Sequence, residues 1–149
     1  MEPFRYFLLL TISYLGLAAG RVISHFAKEE LIPGRRYFII IRSMVFSAVL
    51  LCFLLYLKQI LIIVLPVALL LGFFSYLAEQ KTDTGFFYYS FFAISLFETS
   101  SGSYAPIVAI LIFVFGLATA SIKTEKTVFR LLLDNIIYIL LASLLFFIL

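Results

Sequence analysis

Apolar runs of near membrane-spanning length, separated by short polar segments, organise the whole chain. The first extends from Phe4 to about Ser24 and gives way to a polar segment with His25, Lys28, Glu29, Glu30, Pro33, Gly34, Arg35 and Arg36. The second runs from Tyr37 to Leu57, closed by Lys58-Gln59, and the third covers 60–78 with Pro66 near its beginning. The segment Glu79 to Gly85 precedes a fourth run from Phe86, and the fifth ends at Ile122. Lys123-Thr124-Glu125-Lys126-Thr127 then leads into the sixth, Val128 to Leu149. A helix needs about 20 apolar residues to cross the hydrocarbon core. The pattern predicts an all-α polytopic membrane protein, a single transmembrane domain over 1–149. Its six helices are expected at about 4–24, 37–57, 60–78, 86–100, 104–122 and 128–149. Pro33-Gly34 reads as the turn that ends a helical continuation of the first span, and Pro66 as a kink or first-turn position.

Composition agrees and narrows the chemistry. Hydrophobic residues make up 64% of the 149 and charged residues 13%, against about 25% charged in a soluble domain. Six spans leave no room for a separate soluble domain, so any chemistry belongs in or at the edge of the bilayer. One histidine, His25, and one cysteine, Cys52, cannot supply the ligands of a zinc or iron–sulfur site or an intrachain disulfide. Cys52 reads as a small hydrophobe. Phosphate loops, GxGxxG, HExxH and GxSxG are missing from the sequence, and neither cofactor nor metal is expected. The net charge of +3 comes from basic residues beside the spans. Membrane lipids with anionic headgroups are therefore the expected partner and nucleic acid is not, with Arg35 and Arg36 meeting the headgroup phosphates.

Charge placement gives an orientation, because lysine- and arginine-rich loops stay in the cytoplasm. Arg21, Lys28, Arg35, Arg36, Arg42, Lys81, Lys123, Lys126 and Arg130 fall on one side of a six-span chain; only Arg5 and Lys58 fall on the other. Both termini are accordingly expected on the non-cytoplasmic side of the cell membrane. Tyr6, Tyr37, Tyr56 and Tyr76 lie near span ends and suit interfacial anchoring. Leu17-Ala18-Ala19-Gly20 resembles the small-residue end of a secretory leader, but the loop after it is far more basic than the segment before it, so a retained span is expected.

Three sets of residues could carry function. The stretch Phe86 to Ile122 is shorter than two full spans joined by a turn, which predicts a recessed turn around Glu98, Thr99, Ser100, Ser101 and Ser103. Ser101 or Ser103 would cap the fifth helix, whose positive end would face Glu98. This is the candidate ion or ligand site, and the competing reading is an ordinary outer loop with Glu98 at the waterline. Asp134, inside the last span, is the second intramembrane acid; Arg130, four residues earlier, offers an ion pair on the same face. Arg42, Glu79, Arg130 and Asp134 all fall near the cytoplasmic boundary, where they could form one polar cluster, and Arg42 can snorkel to the interface. Third, Gly16, Gly20 and Ser24 form a small-residue face, and Gly116 and Ala120 repeat it on the fifth span. Such faces let helix backbones approach, inside the monomer or in a homo-oligomer. The likeness of the two segments fits either three helical hairpins of common ancestry or a chance match within a low-complexity apolar sequence. Glu29 and Glu30, adjacent on a helix, point about 100° apart and read as part of a solvated loop.

Three functions compete for these residues. The favoured one is a non-enzymatic structural, lipid-associated or accessory subunit, packed against lipid or a larger membrane partner. The alternative is a small transporter or channel using Glu98 and Asp134. A lipid-modifying enzyme ranks last for want of a nucleophile.

Overall fold

The computed structural model describes residues 3–26, 28–58, 61–79, 85–122 and 127–148; side chains are described for these except 28–33, 61–64, 78–79, 85–86 and 128. The described chain is all-helical: α1 (Pro3–Phe26), α2 (Lys28–Tyr56), α3 (Leu61–Glu79), α4 (Gly85–Thr99), α5 (Ala105–Ile122), α6 (Val128–Asp134) and α7 (Ile137–Ile148). Among the described residues, Pro3–Phe26, Gly34–Tyr56 and Ala105–Ile122 are long and apolar enough to cross a membrane. Leu65–Leu77 and Ile137–Ile148 form shorter apolar helices. The 15 residues of α4 rise only about 22 Å, less than the hydrocarbon thickness of about 30 Å.

Helix α5 is the axis of the bundle. It buries Val108, Ala109, Ile112, Phe115, Gly116 and Thr119 among others, one broad face of the helix, while Ile107 and Ile110 on the other side stay exposed. Its broadest packing is against α1, and α2 covers another side. Helix α3 lies outside α2, and α4 packs against α7. The α1–α5 seam is built from the two small-residue faces. A Cβ placed on Gly20 would lie 2.5 Å from the Leu117 carbonyl oxygen, and one on Gly116 would lie 2.9 Å from the Leu17 nitrogen. Backbone meets backbone there, which lets dispersion contacts form along the whole seam.

Two elements differ from the expectation. Helix α2 begins at Lys28 and passes through Pro33-Gly34 without a turn. Gly34 keeps a negative φ, so the left-handed conformation that usually ends a helix at glycine is not adopted. The last apolar run is two helices instead of one, broken at Asn135-Ile136. The cause is nonlocal. The Tyr14 hydroxyl of α1 donates to the Leu132 carbonyl, the acceptor that the Ile136 amide would take in a continuous helix. That amide turns to Leu133 O at 3.2 Å instead, and Asn135 Nδ2 takes Leu131 O at 2.8 Å. A side chain inserted into the helical ladder is a recognised origin of such breaks. In Tyr14→Phe, Leu132 O keeps only the Asn135 amide at 3.2 Å, and the helix is expected to propagate through the break, slowing exchange of the Ile136 amide at a cost of about 1 kcal/mol in lost interhelical bonding. Unchanged amide exchange would show that Asn135 alone holds the break.

Candidate functional site

The α4–α5 turn is closed by α2. Tyr56 and Ser101 hydroxyls pair at 2.8 Å, and the Tyr56 ring lies over Gly102, where an added Cβ would come within 3.0 Å of it. Ser101 is thereby engaged with α2 instead of capping α5. The first turn of α5 opens with the Val108 amide donating to Tyr104 O at 2.9 Å. Thr99 is fully buried, but its hydroxyl turns back to Ser95 O at 2.7 Å. Ser100 is half-buried, whereas Glu98 and Ser103 are exposed. The five residues thus differ in burial, and Thr99 and Ser101 bond to different partners.

The described residues of the polar cluster differ in burial. Arg42 does not snorkel to the interface: it is 2% exposed, and its guanidinium lies 5.2 Å from the ring centres of both Tyr88 on α4 and Phe115 on α5. A desolvated cation over two ring faces gains about 2 kcal/mol or more from the ring quadrupoles. Arg130 and Asp134 are exposed on α6, which packs along α1. The Glu79 side chain lies outside the described residues, as do residues 80–84 and 123–126. Arg35 and Arg36 are exposed, and Ser24 is buried with its hydroxyl donating to Arg21 O at 2.8 Å. Among the described residues, no three His, Cys, Asp or Glu side chains gather as metal ligands would.

Buried tyrosines are the feature that sequence reasoning did not place. Tyr6 is fully buried, contrary to the interfacial role expected of it; its hydroxyl donates to Ala142 O at 2.9 Å and its ring stacks on Phe146 at 4.8 Å. Tyr138 pairs with Ser13 at 2.6 Å and Tyr88 with Ser75 at 2.7 Å, while Ser43 donates to Gly72 O at 2.6 Å. These bonds tie α1 to α7, α4 to α3 and α2 to α3. One sequence signal for Tyr6 exists. Tyr6, Ser13 and Gly20 recur at seven-residue intervals, which places them on one helix face. No family model matches the chain, and no curated protein or solved structure matches it.

Proposed function

We propose that the chain is a small multi-pass protein of the cell membrane that crosses the bilayer six times, keeps both termini on the non-cytoplasmic side, and serves as a non-enzymatic structural, lipid-associated or accessory subunit. Alternating helix directions support the six crossings. Gly16 and Gly20 meet Phe113 and Leu117 in order, so α1 and α5 run parallel. Arg42 beside Phe115 and Tyr56 beside Ser101 make α2 antiparallel to α5, and Tyr89 beside Tyr138 with Phe97 near Tyr6 makes α4 parallel to α7. In this arrangement α6 and α7 together form the last crossing.

The observation that carries the functional reading is the use the bundle makes of its polar groups. Ser13, Thr99, Thr119 and Ser121 donate to carbonyls of their own helices, and Ser43, Ser75, Tyr6, Tyr14, Tyr88 and Tyr138 fasten helix to helix. Glu98 and Asp134 stand exposed. A transport site draws ionisable groups into a wet cavity between helices; this bundle spends its polar groups on assembly. Native mass spectrometry in a mild detergent tests the reading: retained lipid or a co-purifying membrane partner is expected, and a bare monomer opposes it. Solute flux in proteoliposomes that falls in Glu98→Gln or Asp134→Asn would favour the transporter.

Anionic headgroups are the proposed lipid chemistry at Arg35 and Arg36. Each basic residue at an anionic surface contributes about 1 kcal/mol, roughly fivefold in affinity. Arg35→Gln/Arg36→Gln is expected to weaken retention of anionic lipid by about twentyfold to thirtyfold, while leaving zwitterionic lipid unchanged. Equal retention of both lipids by parent and variant would remove these residues from the proposal.

A further inference from the structure

Ser13 sits halfway between the two arginines of α1, eight residues from Arg5 and eight from Arg21. About 12 Å of helix separates it from either one. The Tyr138 hydroxyl pairs with Ser13 at 2.6 Å, and the adjacent Tyr14 hydroxyl donates to Leu132 O. Residues 132–138 therefore pass the middle of α1. Asp134 belongs to that segment and is exposed, and Arg130, one turn earlier on α6, is exposed as well. The sequence pattern predicts Asp134 near the cytoplasmic boundary, and these contacts draw it to the middle instead. Phe129 and Leu133, also one turn apart on α6, are exposed beside the two charges.

Lipid covers such a patch poorly. An ionisable side chain that faces hydrocarbon at mid-depth is costly. Attraction along the helix, four residues apart, balances the charges but leaves both groups against acyl chains. The patch is, however, complementary to itself, because it carries one cation and one anion a single turn apart. A two-fold axis along the bilayer normal makes every contact reciprocal, and the long arginine side chain covers the difference in height of about 6 Å between the two positions. A partner that offers only a base would answer Asp134 and leave Arg130 against lipid. We propose that a second copy of this chain covers the patch, α6 beside α6, with Arg130 of each copy against the partner's Asp134 and the exposed Phe129 and Leu133 packed between them. The proposal rests on the six-crossing reading and deepens the subunit reading by naming the partner.

Two-colour energy transfer between labelled copies of the full chain in bilayers tests it. The parent is expected to dimerise. Arg130→Asp leaves two acids in the patch and Asp134→Arg leaves two bases, and each is expected to weaken self-association roughly hundredfold through like-charge contact. An equal mixture of the two variants should recover the parent signal, because unlike patches then meet, and that recovery also shows that both variants fold. Self-association that neither variant weakens overturns the proposal, as do weakened variants that fail to recover on mixing. A parent that stays monomeric also overturns it, and lipid or a different membrane protein retained by that monomer leaves the subunit reading standing. A chain that does not cross the bilayer overturns both. If the charge variants fail to fold, Leu133→Cys in a Cys52→Ser background decides: oxidation should give a disulfide-linked dimer, and a chain that stays wholly monomeric overturns the proposal.

Discussion

Gly16→Leu and Gly116→Leu are each expected to abolish the folded bundle under detergent conditions in which the parent survives. A side chain at Gly16 meets the Phe113 backbone, and one at Gly116 lies 2.9 Å from Leu17 N and 3.0 Å from Gly16 C. No rotamer change relieves a collision with backbone, so α1 and α5 must part along their length. Overpacking a core costs about 1–3 kcal/mol when neighbours can adjust; here the helices also lose the close contacts of the bundle's largest seam. Gly34 is the control. Among the described residues, an added Cβ there would meet only the Phe38 ring at 3.6 Å, an ordinary contact, and alanine is a better helix former than glycine by about 1 kcal/mol. Gly34→Ala should leave the melting temperature unchanged or raise it. Equal tolerance of leucine at positions 16, 116 and 34 would refute the packing of this seam.

Arg42→Ala is expected to destabilise the bundle by about 4 kcal/mol, the second large effect. It removes a cation held between Tyr88 and Phe115, worth about 2 kcal/mol. It also opens a cavity of the kind that costs about 2–5 kcal/mol when long core side chains are cut to alanine. Arg42→Met fills most of the volume without the charge, and should recover about half of the loss. Denaturation in mixed micelles gives both values. Identical stability of the parent and Arg42→Ala would place the guanidinium outside the core.

Much of this architecture is legible in the chain because it is local. The Gly16/Gly20 and Gly116/Ala120 spacings mark close-packing faces before any fold is known, and the polar segments delimit the helices to within a few residues except at the start of α2, which lies nine residues before the expected Tyr37. Helix rotation is less legible. A tyrosine near a span end can face headgroups or neighbouring helices, and hydropathy treats Tyr6 and Tyr37 alike, yet Tyr6 is buried and Tyr37 is 71% exposed. Arg42 is misread for the same reason: its stem can reach the interface, but its face of α2 turns toward α4 and α5. The break at Asn135-Ile136 could not be read locally, because the hydroxyl that enters the ladder comes from Tyr14, far away in sequence. At the turn after α4, a hydroxyl-rich stretch suggested a shared pocket. Thr99 and Ser101 find partners in their own helix and in α2 instead, and a single sequence cannot distinguish those outcomes.

A disulfide between α1 and α5 tests the account most directly. An added Cβ at Gly20 would lie 3.0 Å from the Ala120 Cβ, from which a slight separation of the helices reaches the roughly 3.5–4.5 Å that a disulfide requires. In a Cys52→Ser background, Gly20→Cys/Ala120→Cys should oxidise within one chain in bilayers and migrate as a monomer with accelerated mobility. Cross-linked dimers in place of that monomer would show that the small-residue faces join separate copies, and would contradict the α1–α5 spine.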